Sequence, residues 1–405
     1  MDVNRSCKPQ CHALGPTVSV LSSFERKTRS NDLMSKTVAS SRTRHMVEVA
    51  LVAVAVVFAF APLRPASIEA WYSTSIYPHV ERALTPLSNG VPFAILDLLL
   101  VGLAVAVIVI LSRAARDAWR RRTWRRLLTT LAHFLAGAAA IYILFLLLWG
   151  FNYRRVPMPQ RLEIDRTAPT SDQVVELGLM AVGQMNSLYA AAHEGTAPPE
   201  WQDATLRSAF ADVQRVLAEA PPVEPGRLKH SLLGLYFRWT GVDGMVNPFG
   251  LEVIANPDLL PFERPFVAAH EWGHLAGYAN EAEANFVGWL TCVRAAPRHQ
   301  YSAWFYLYWQ ISGEVNGQER ARLNAALAEG PRRDINAVIA RLRRDEIPAL
   351  QHASWQVYDK YLKANRVESG LRSYGEVVTL LLRARFDPGW TPVRRGARPS
   401  SSSAP

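Results

Sequence analysis

The chain has 405 residues, of which 49% are hydrophobic and 20% charged, with a formal net charge of +10 and three cysteines. The cysteines offer no disulfide framework. The charge does not form a nucleic-acid-binding face, because residues 1–45 carry eight Lys or Arg against three acids and residues 113–130 carry seven Arg against one, leaving the rest close to neutral.

In chain order, residues 1–45 are polar, Ser-rich and aperiodic, and read as a disordered cytoplasmic tail. Cys7, Cys11 and His12 lie close together there but lack a second pair of ligands for a metal. Three apolar blocks follow, at residues 46–63, 91–111 and 131–151. Each approaches or reaches the roughly 20 apolar residues that cross a bilayer, so three transmembrane helices are expected. Both basic segments flank these blocks on one side. The positive-inside rule then predicts an N-terminus inside, residues 64–90 outside, the Arg-rich loop inside, and everything after about residue 152 beyond the cytoplasmic (inner) membrane. Arg154, Arg155 and Arg161 run against this order and are outnumbered by the seven arginines at the other end of the third block. The first block also reads as a signal peptide with Met34 or Met46 as the start, which leaves the later topology unchanged. Asp97 and His133 sit near block ends, where hydrogen bonding within a helix or at the interface is expected rather than a proton relay.

Between residues 152 and 389 the apolar positions recur at three and four residues, predicting helices over 171–193, 203–219, 262–278, 281–296, 318–345 and 350–385. Prolines punctuate the pattern at 198 and 199, at 221, 222 and 225, and at 257, 261 and 265. One segment, 249–256 (FGLEVIAN), reads as a strand, either lining a substrate cleft with a free edge or serving only in packing. Residues 390–405 read as a second disordered tail. The expected architecture is mainly α: a tail (1–45), a membrane domain (46–151), and an extracytoplasmic, zincin-like, mostly helical domain with a small β element (152–389).

The most specific chemistry lies at His270-Glu271-Trp272-Gly273-His274, followed by Asn280-Glu281-Ala282-Glu283-Ala284-Asn285. Two histidines four apart share one helix face and can hold a single Zn²⁺, with Glu271 beside them as general base. The helix is expected to begin near Glu263 to Pro265 and to stop at Gly277, with Asn280 capping a second helix. Glu281 is then the expected third ligand, with Glu283 as the alternative because it lies two positions on and turns away. Asn285, one turn after Glu281, is placed to hydrogen-bond a ligating histidine. Two histidines and a carboxylate leave a coordination position open, as catalytic zinc sites do. Glu271 and His274 also form an E-x-x-H pair, but a di-iron bundle needs two such pairs and this chain has one. Tyr278, His299, Tyr301 and Tyr308 are candidates to stabilise a tetrahedral oxyanion. Cys292 stands alone in the exported domain.

These pieces, together with Trp149 to Arg155 (WGFNYRR), Asn247 to Glu252 (NPFGLE), Tyr301-Ser302, Tyr361-Leu362-Lys363 and Ser373-Tyr374-Gly375, give the chain a resemblance to a bacterial membrane family, domain of unknown function 3810. Members of that family look like zinc peptidases of the glutamate-ligand type. The resemblance covers most of residues 46–386 and implies that His270, His274 and Glu281 bind zinc, that Glu271 is catalytic, and that Ala284 and Asn285 complete the E-x-x-A-N element. The resulting expectation is a membrane-anchored zinc metallopeptidase acting on a protein or peptide outside the cytoplasm, with the lipid bilayer as partner and no nucleic acid. The alternatives are a non-catalytic zinc-binding scaffold and a cell-wall peptide amidase.

Overall fold

In the computed structural model the described residues are 43–121, 125–218, 220–367, 370 and 376–396. The tail cluster Cys7, Cys11 and His12, and Ser373-Tyr374-Gly375, lie outside them. Three helices among the described residues are long and apolar enough to cross a membrane, spanning Thr43–Phe60, Ile95–Arg120 and Leu128–Leu148. The first, α1, stops earlier than expected because Pro62 cannot continue a helix. The other two lie within α4 (Ile95–Arg121) and α5 (Arg125–Leu148).

The chain divides into two units, one made of residues 1–60 and 117–141, the other of 61–116 and 142–405. In the first unit Glu48 of α1 lies 3.3 Å from Arg44, 3.3 Å from His45 and 3.1 Å from His133. His133 therefore pairs with a carboxylate on another helix instead of bonding within its own.

The second unit opens with α2 (Pro65–Ile68), a π-helical stretch (Glu69–Ile76) and α3 (Tyr77–Asn89). After α5 come a 3₁₀ segment (Gly150–Arg154), α6 (Met158–Arg161) and α7 (Ser171–His193). Thr170 and Gln173 close a capping box at the start of α7, and Asp203 caps α8 (Ala204–Leu217) through Thr205 N and Leu206 N. The remaining helices are α9 (Gly234–Thr240), α10 (Arg264–Leu275), α11 (Glu281–Val293), α12 (Pro297–Glu314), α13 (Gly317–Ala326), α14 (Glu329–Asp345), α15 (Pro348–Ala364) and α16 (Glu376–Arg383).

The core is built around α11, whose residues from Glu281 to Cys292 are all buried. Such a helix survives only where others wrap it, and α8, α10, α12 and α16 do so. Burying Phe286, Val287 and Leu290 contributes about 1.5–3 kcal/mol each.

Two predicted helices are each broken in two. The 318–345 span divides at Leu327 and Ala328, and the 350–385 span gives way to α15 and α16. Helix α12 carries the aromatic run but no bounds follow for it from the sequence, because its aromatic residues lie on every face. Residues 390–396 belong to the fold rather than to a tail. Trp390 packs on Trp289, Trp304 and Phe386, and Thr391–Pro392 (β5) pairs antiparallel with Phe386–Asp387 (β4).

A three-stranded sheet of order β1-β3-β2 contains Leu228–Lys229 (β1), Gly244–Asn247 (β2) and Glu252–Ala255 (β3). β3 pairs parallel with β1 and antiparallel with β2, with Val246 opposite Val253. The predicted 249–256 strand is thus central, and the free edge near the site belongs to β2. Glu252 ties this sheet to the start of α4. Its carboxylate accepts from Ile95 N at 2.9 Å and Leu96 N at 2.8 Å, and it pairs with the fully buried Lys229 at 2.8 Å. In the same first turn, Asp97 accepts from Ser231 Oγ at 2.5 Å and Leu232 N at 3.0 Å, so it anchors the loop before α9.

Candidate metal centre

Helix α10 begins at Arg264 with Pro265 in its first turn, and the chain turns back at Gly277, whose φ of 81° suits a residue without a side chain. Asn280 then caps α11 by accepting from Ala282 N and Glu283 N. The two helices come unusually close. A Cβ on Gly273 would lie 3.1 Å from Ala284 O, and one on Gly288 would lie 2.9 Å from His270 N. Glycine at both positions lets the first turn of α11 reach the histidine face of α10.

The result is a convergence of three side chains. Glu281 Oε2 lies 3.4 Å from His270 Nε2 and 3.4 Å from His274 Nε2. The imidazole rings are 4.8 Å apart and nearly perpendicular, at 85°. Glu281 and His274 are buried, and the His270 side chain is 12% exposed. Glu283 faces the other way. It accepts from Met158 N at 2.6 Å and lies 4.0 Å from Arg161.

One potential ligand atom from each of His270, Glu271 and His274 also lies within 4.8 Å of the others. Two carboxylates therefore compete for the third place, and their surroundings separate them. Glu281 Oε2 is aimed between both imidazoles, while Oε1 accepts from the Tyr358 hydroxyl. Glu271 packs against the backbone of β2, where a Cβ on Gly244 would come 2.5 Å from Oε1.

The electrostatics follow from burial. His274 Nδ1 donates to Tyr278 O at 2.8 Å, which leaves Nε2 to face Glu281. Burial works against a charged imidazole, but the carboxylates of Glu281 and Glu271 and the Tyr278 carbonyl outweigh it and lift the His274 pKa to about 9. Burial likewise opposes charge on Glu281, yet His274 and His270 hold its carboxyl well below the usual range. Glu271 has no such compensation: burial pushes its pKa up, and the two imidazoles only partly counter it.

The residues fit a cation. Donors at 2.0–2.2 Å from a tetrahedral zinc stand about 3.3–3.6 Å apart, a range that includes the 3.4 Å spacing of Glu281 Oε2 from each Nε2. Glu281 Oε2 and Glu271 Oε2 are buried without a hydrogen-bond partner, as atoms left for a ligand would be. Asn285 does not fill its expected role: its Nδ2 is buried and unpartnered, as is His270 Nδ1, so no hydrogen bond joins them.

The four oxyanion candidates are committed elsewhere. Tyr278 lies beneath the Arg155 guanidinium, His299 and Tyr301 pair with Asp203 and Asp334, and Tyr308 donates to Asn324 at 2.5 Å. Besides Tyr358, which bonds Glu281, Tyr306 feels the charge of that carboxylate. It stacks on Phe266 at 3.6 Å, its hydroxyl is buried and unpartnered, and burial together with the Glu281 charge keeps it protonated. Nothing in the aromatic run singles it out, except that it stands one turn after Ser302, which accepts from Phe266 N at 3.0 Å.

A brace behind the site is also absent from the residue-type argument. Trp149 donates to His274 O at 2.9 Å, Tyr77 donates to Leu275 O at 2.6 Å, and Arg155 donates to Gly277 O at 2.9 Å while pairing with Glu69 at 2.7 Å. Of the arginines that run against the charge rule, Arg155 and Arg161 are therefore tied into the fold through Glu69.

A family model described as protein of unknown function (DUF3810) matches residues 72–382. The chain belongs to that family. No curated protein and no solved structure gives a significant match. The matched span contains the whole brace from Tyr77 to Arg155 except Glu69, both helices of the site, and α15 with Tyr358.

Proposed function

We propose that the protein is a membrane-anchored zinc metallopeptidase of zincin-like build, with its catalytic domain on the extracytoplasmic side. The observation that carries this reading is the equal 3.4 Å spacing of Glu281 Oε2 from the two imidazole Nε2 atoms, with a second buried carboxylate beside them. His270, His274 and Glu281 would hold the ion. When bound, zinc brings the pKa of water into the neutral range and polarises a carbonyl oxygen.

The rest is the work of this chain's own side chains. Glu271 takes a proton from the attacking water and passes it to the leaving amine; its raised pKa makes it a stronger base than an exposed glutamate. The Tyr306 hydroxyl, protonated and without a partner, donates to the developing oxyanion. The free edge of β2 beside Glu271 supports an extended peptide as substrate, since its open backbone groups can pair with a strand.

The test uses purified full-length protein. Wild type binds about one equivalent of zinc and cleaves a mixed peptide library, and Glu271→Gln keeps the zinc and loses cleavage. Equal cleavage by both proteins refutes the peptidase, and a zinc-loaded protein with no cleavage at all leaves a binding scaffold.

A further inference from the structure

Outside the three long apolar helices, α9 with the turn before it and α15 leave large apolar side chains in the open. Leu232 is 74% exposed, Leu235 53%, Trp239 38%, Val357 68% and Tyr361 37%. Leu235 and Trp239, four residues apart on α9, share one face, and Leu232 stands in the turn before that helix; Val357 and Tyr361 share another with Ser354 on α15. Those two faces adjoin, because Tyr236 Oη and Ser354 Oγ are 2.5 Å apart and Ile347 N donates to Trp239 O at 2.9 Å.

The band they form runs between the ends of the apolar helices. At α4, Leu232 N bonds Asp97 of the first turn, and Phe237 of α9 packs on Ala94 beside Leu96. At α5, Tyr361 meets Tyr153, five residues past the last residue of the helix, with ring centres 6.0 Å apart. Arg366, just after α15, donates to Ala61 O at 3.1 Å, and Ala61 directly follows α1. Contiguous apolar surface of this kind is rare on a face that meets only water.

We infer that α9 and the adjoining face of α15 form a lipid-binding surface that lies in the bilayer interface on the side of this domain. The occupant is lipid because the band is continuous with the points where apolar helices enter and leave the domain. Its chemistry also fits: Trp and Tyr rings belong at the headgroup level, and short amphipathic helices lie in that plane with their apolar side in the acyl boundary. Tyr358 of α15 bonds Glu281, so the same helix that touches lipid borders the candidate metal centre.

The test is a site-specific label in the full chain. Cys7→Ser and Cys11→Ser remove the tail thiols, and buried Cys292 stays unreactive. An NBD probe is placed at Leu235→Cys or Val357→Cys. Arg333→Cys is the control, because its exposed side chain adjoins Asp334, which lines a cavity with Pro265 at the opposite end of α10 from His274. Each protein is reconstituted into vesicles of phosphatidylcholine and phosphatidylglycerol carrying a nitroxide near the headgroup. The probes at 235 and 357 are expected to lose about half or more of their emission and the control to keep it, since an interfacial helix sits about 5–10 Å into the boundary. Quenching no greater than at 333 overturns the inference. So does disulfide formation between two copies through Leu235→Cys without lipid quenching, which assigns the surface to a second copy. Neither readout involves metal or cleavage, so this surface and the peptidase reading stand or fall separately.

Discussion

Gly288→Ala tests whether the close approach of α10 and α11 shapes the candidate metal centre. The new Cβ would lie 2.9 Å from His270 N and 3.0 Å from His270 Cα, both backbone atoms that cannot rotate aside. Ordinary contact begins at 3.4 Å, so the helices must part by about 0.5 Å. Overpacking of this kind costs about 1–3 kcal/mol. Replacing a helical glycine returns about 0.5–1 kcal/mol, which leaves a net destabilisation of up to about 2.5 kcal/mol. The same displacement carries Glu281, two turns earlier on α11, away from both imidazoles, and zinc affinity should fall at least about ten-fold. Gly183→Ala is the matched control. It lies exposed on α7 with nothing within 4 Å of an added Cβ, and it should stabilise by about 0.5–1 kcal/mol with zinc affinity unchanged. Thermal unfolding in detergent and competition against a chromophoric chelator read the two quantities. A Gly288→Ala protein as stable as Gly183→Ala, binding zinc as tightly as wild type, refutes the argument.

Trp149→Phe removes one of two donors to His274 O, the other being Gly277 N at 2.9 Å, at about 0.5–1.5 kcal/mol and about a ten-fold loss of zinc affinity in the same chelator assay; unchanged affinity would show the brace to be idle. Zinc uptake should release a proton. With the His274 pKa lifted to about 9 in the metal-free protein, affinity is expected to rise about ten-fold per pH unit through neutrality and level off above about 9. The apo protein should show the opposite trend in stability. The His274 pairing is fully present below the ordinary imidazole value near 6.5 and is lost as pH rises through about 9. An affinity that is flat from pH 6 to 9 would sink this, the window being set by the ordinary imidazole value of about 6.5. Lys229→Met leaves Glu252 buried without its cation, at about 3–5 kcal/mol, and adding Glu252→Gln should recover part of the loss. A single variant that melts with wild type excludes any such role for the pair.

The parts of the fold that follow from local chemistry were legible in the sequence. Periodicity placed α7, α8, α10 and α11 to within three residues at each end, because each has a cap or a proline at its start and an amphipathic or fully apolar run behind it. The turn at Gly277 and the cap at Asn280 follow from residue types alone. Features decided by distant partners were not legible. Trp390 belongs to the core because Trp289 and Trp304 wait for it about a hundred residues earlier. The edge strand at the site is β2 rather than the predicted 249–256 segment because a parallel partner, β1, covers the far side of β3. The oxyanion candidates failed for the same reason: Tyr301 and Tyr308 are spoken for by Asp334 and Asn324, whereas the buried hydroxyl of Tyr306, which feels the Glu281 charge, has no partner.

The choice between Glu281 and Glu283 shows how a site of this kind divides its charges. Both carboxylates are buried on one helix, and helical geometry turns them to different sides. Glu283 faces the arginine layer of Arg155 and Arg161 and the amide of Met158, all permanent partners. Glu281 faces two imidazoles, which are cationic only when protonated. In the metal-free protein a proton on His274 therefore does what a divalent ion would do, balancing a carboxylate that water cannot reach. An arginine in place of either histidine would neutralise Glu281 permanently and close the position to metal, whereas imidazole can give up its proton in exchange. Under the proposed function, that exchange is what would distinguish the site from a buried salt bridge of the Lys229 and Glu252 kind.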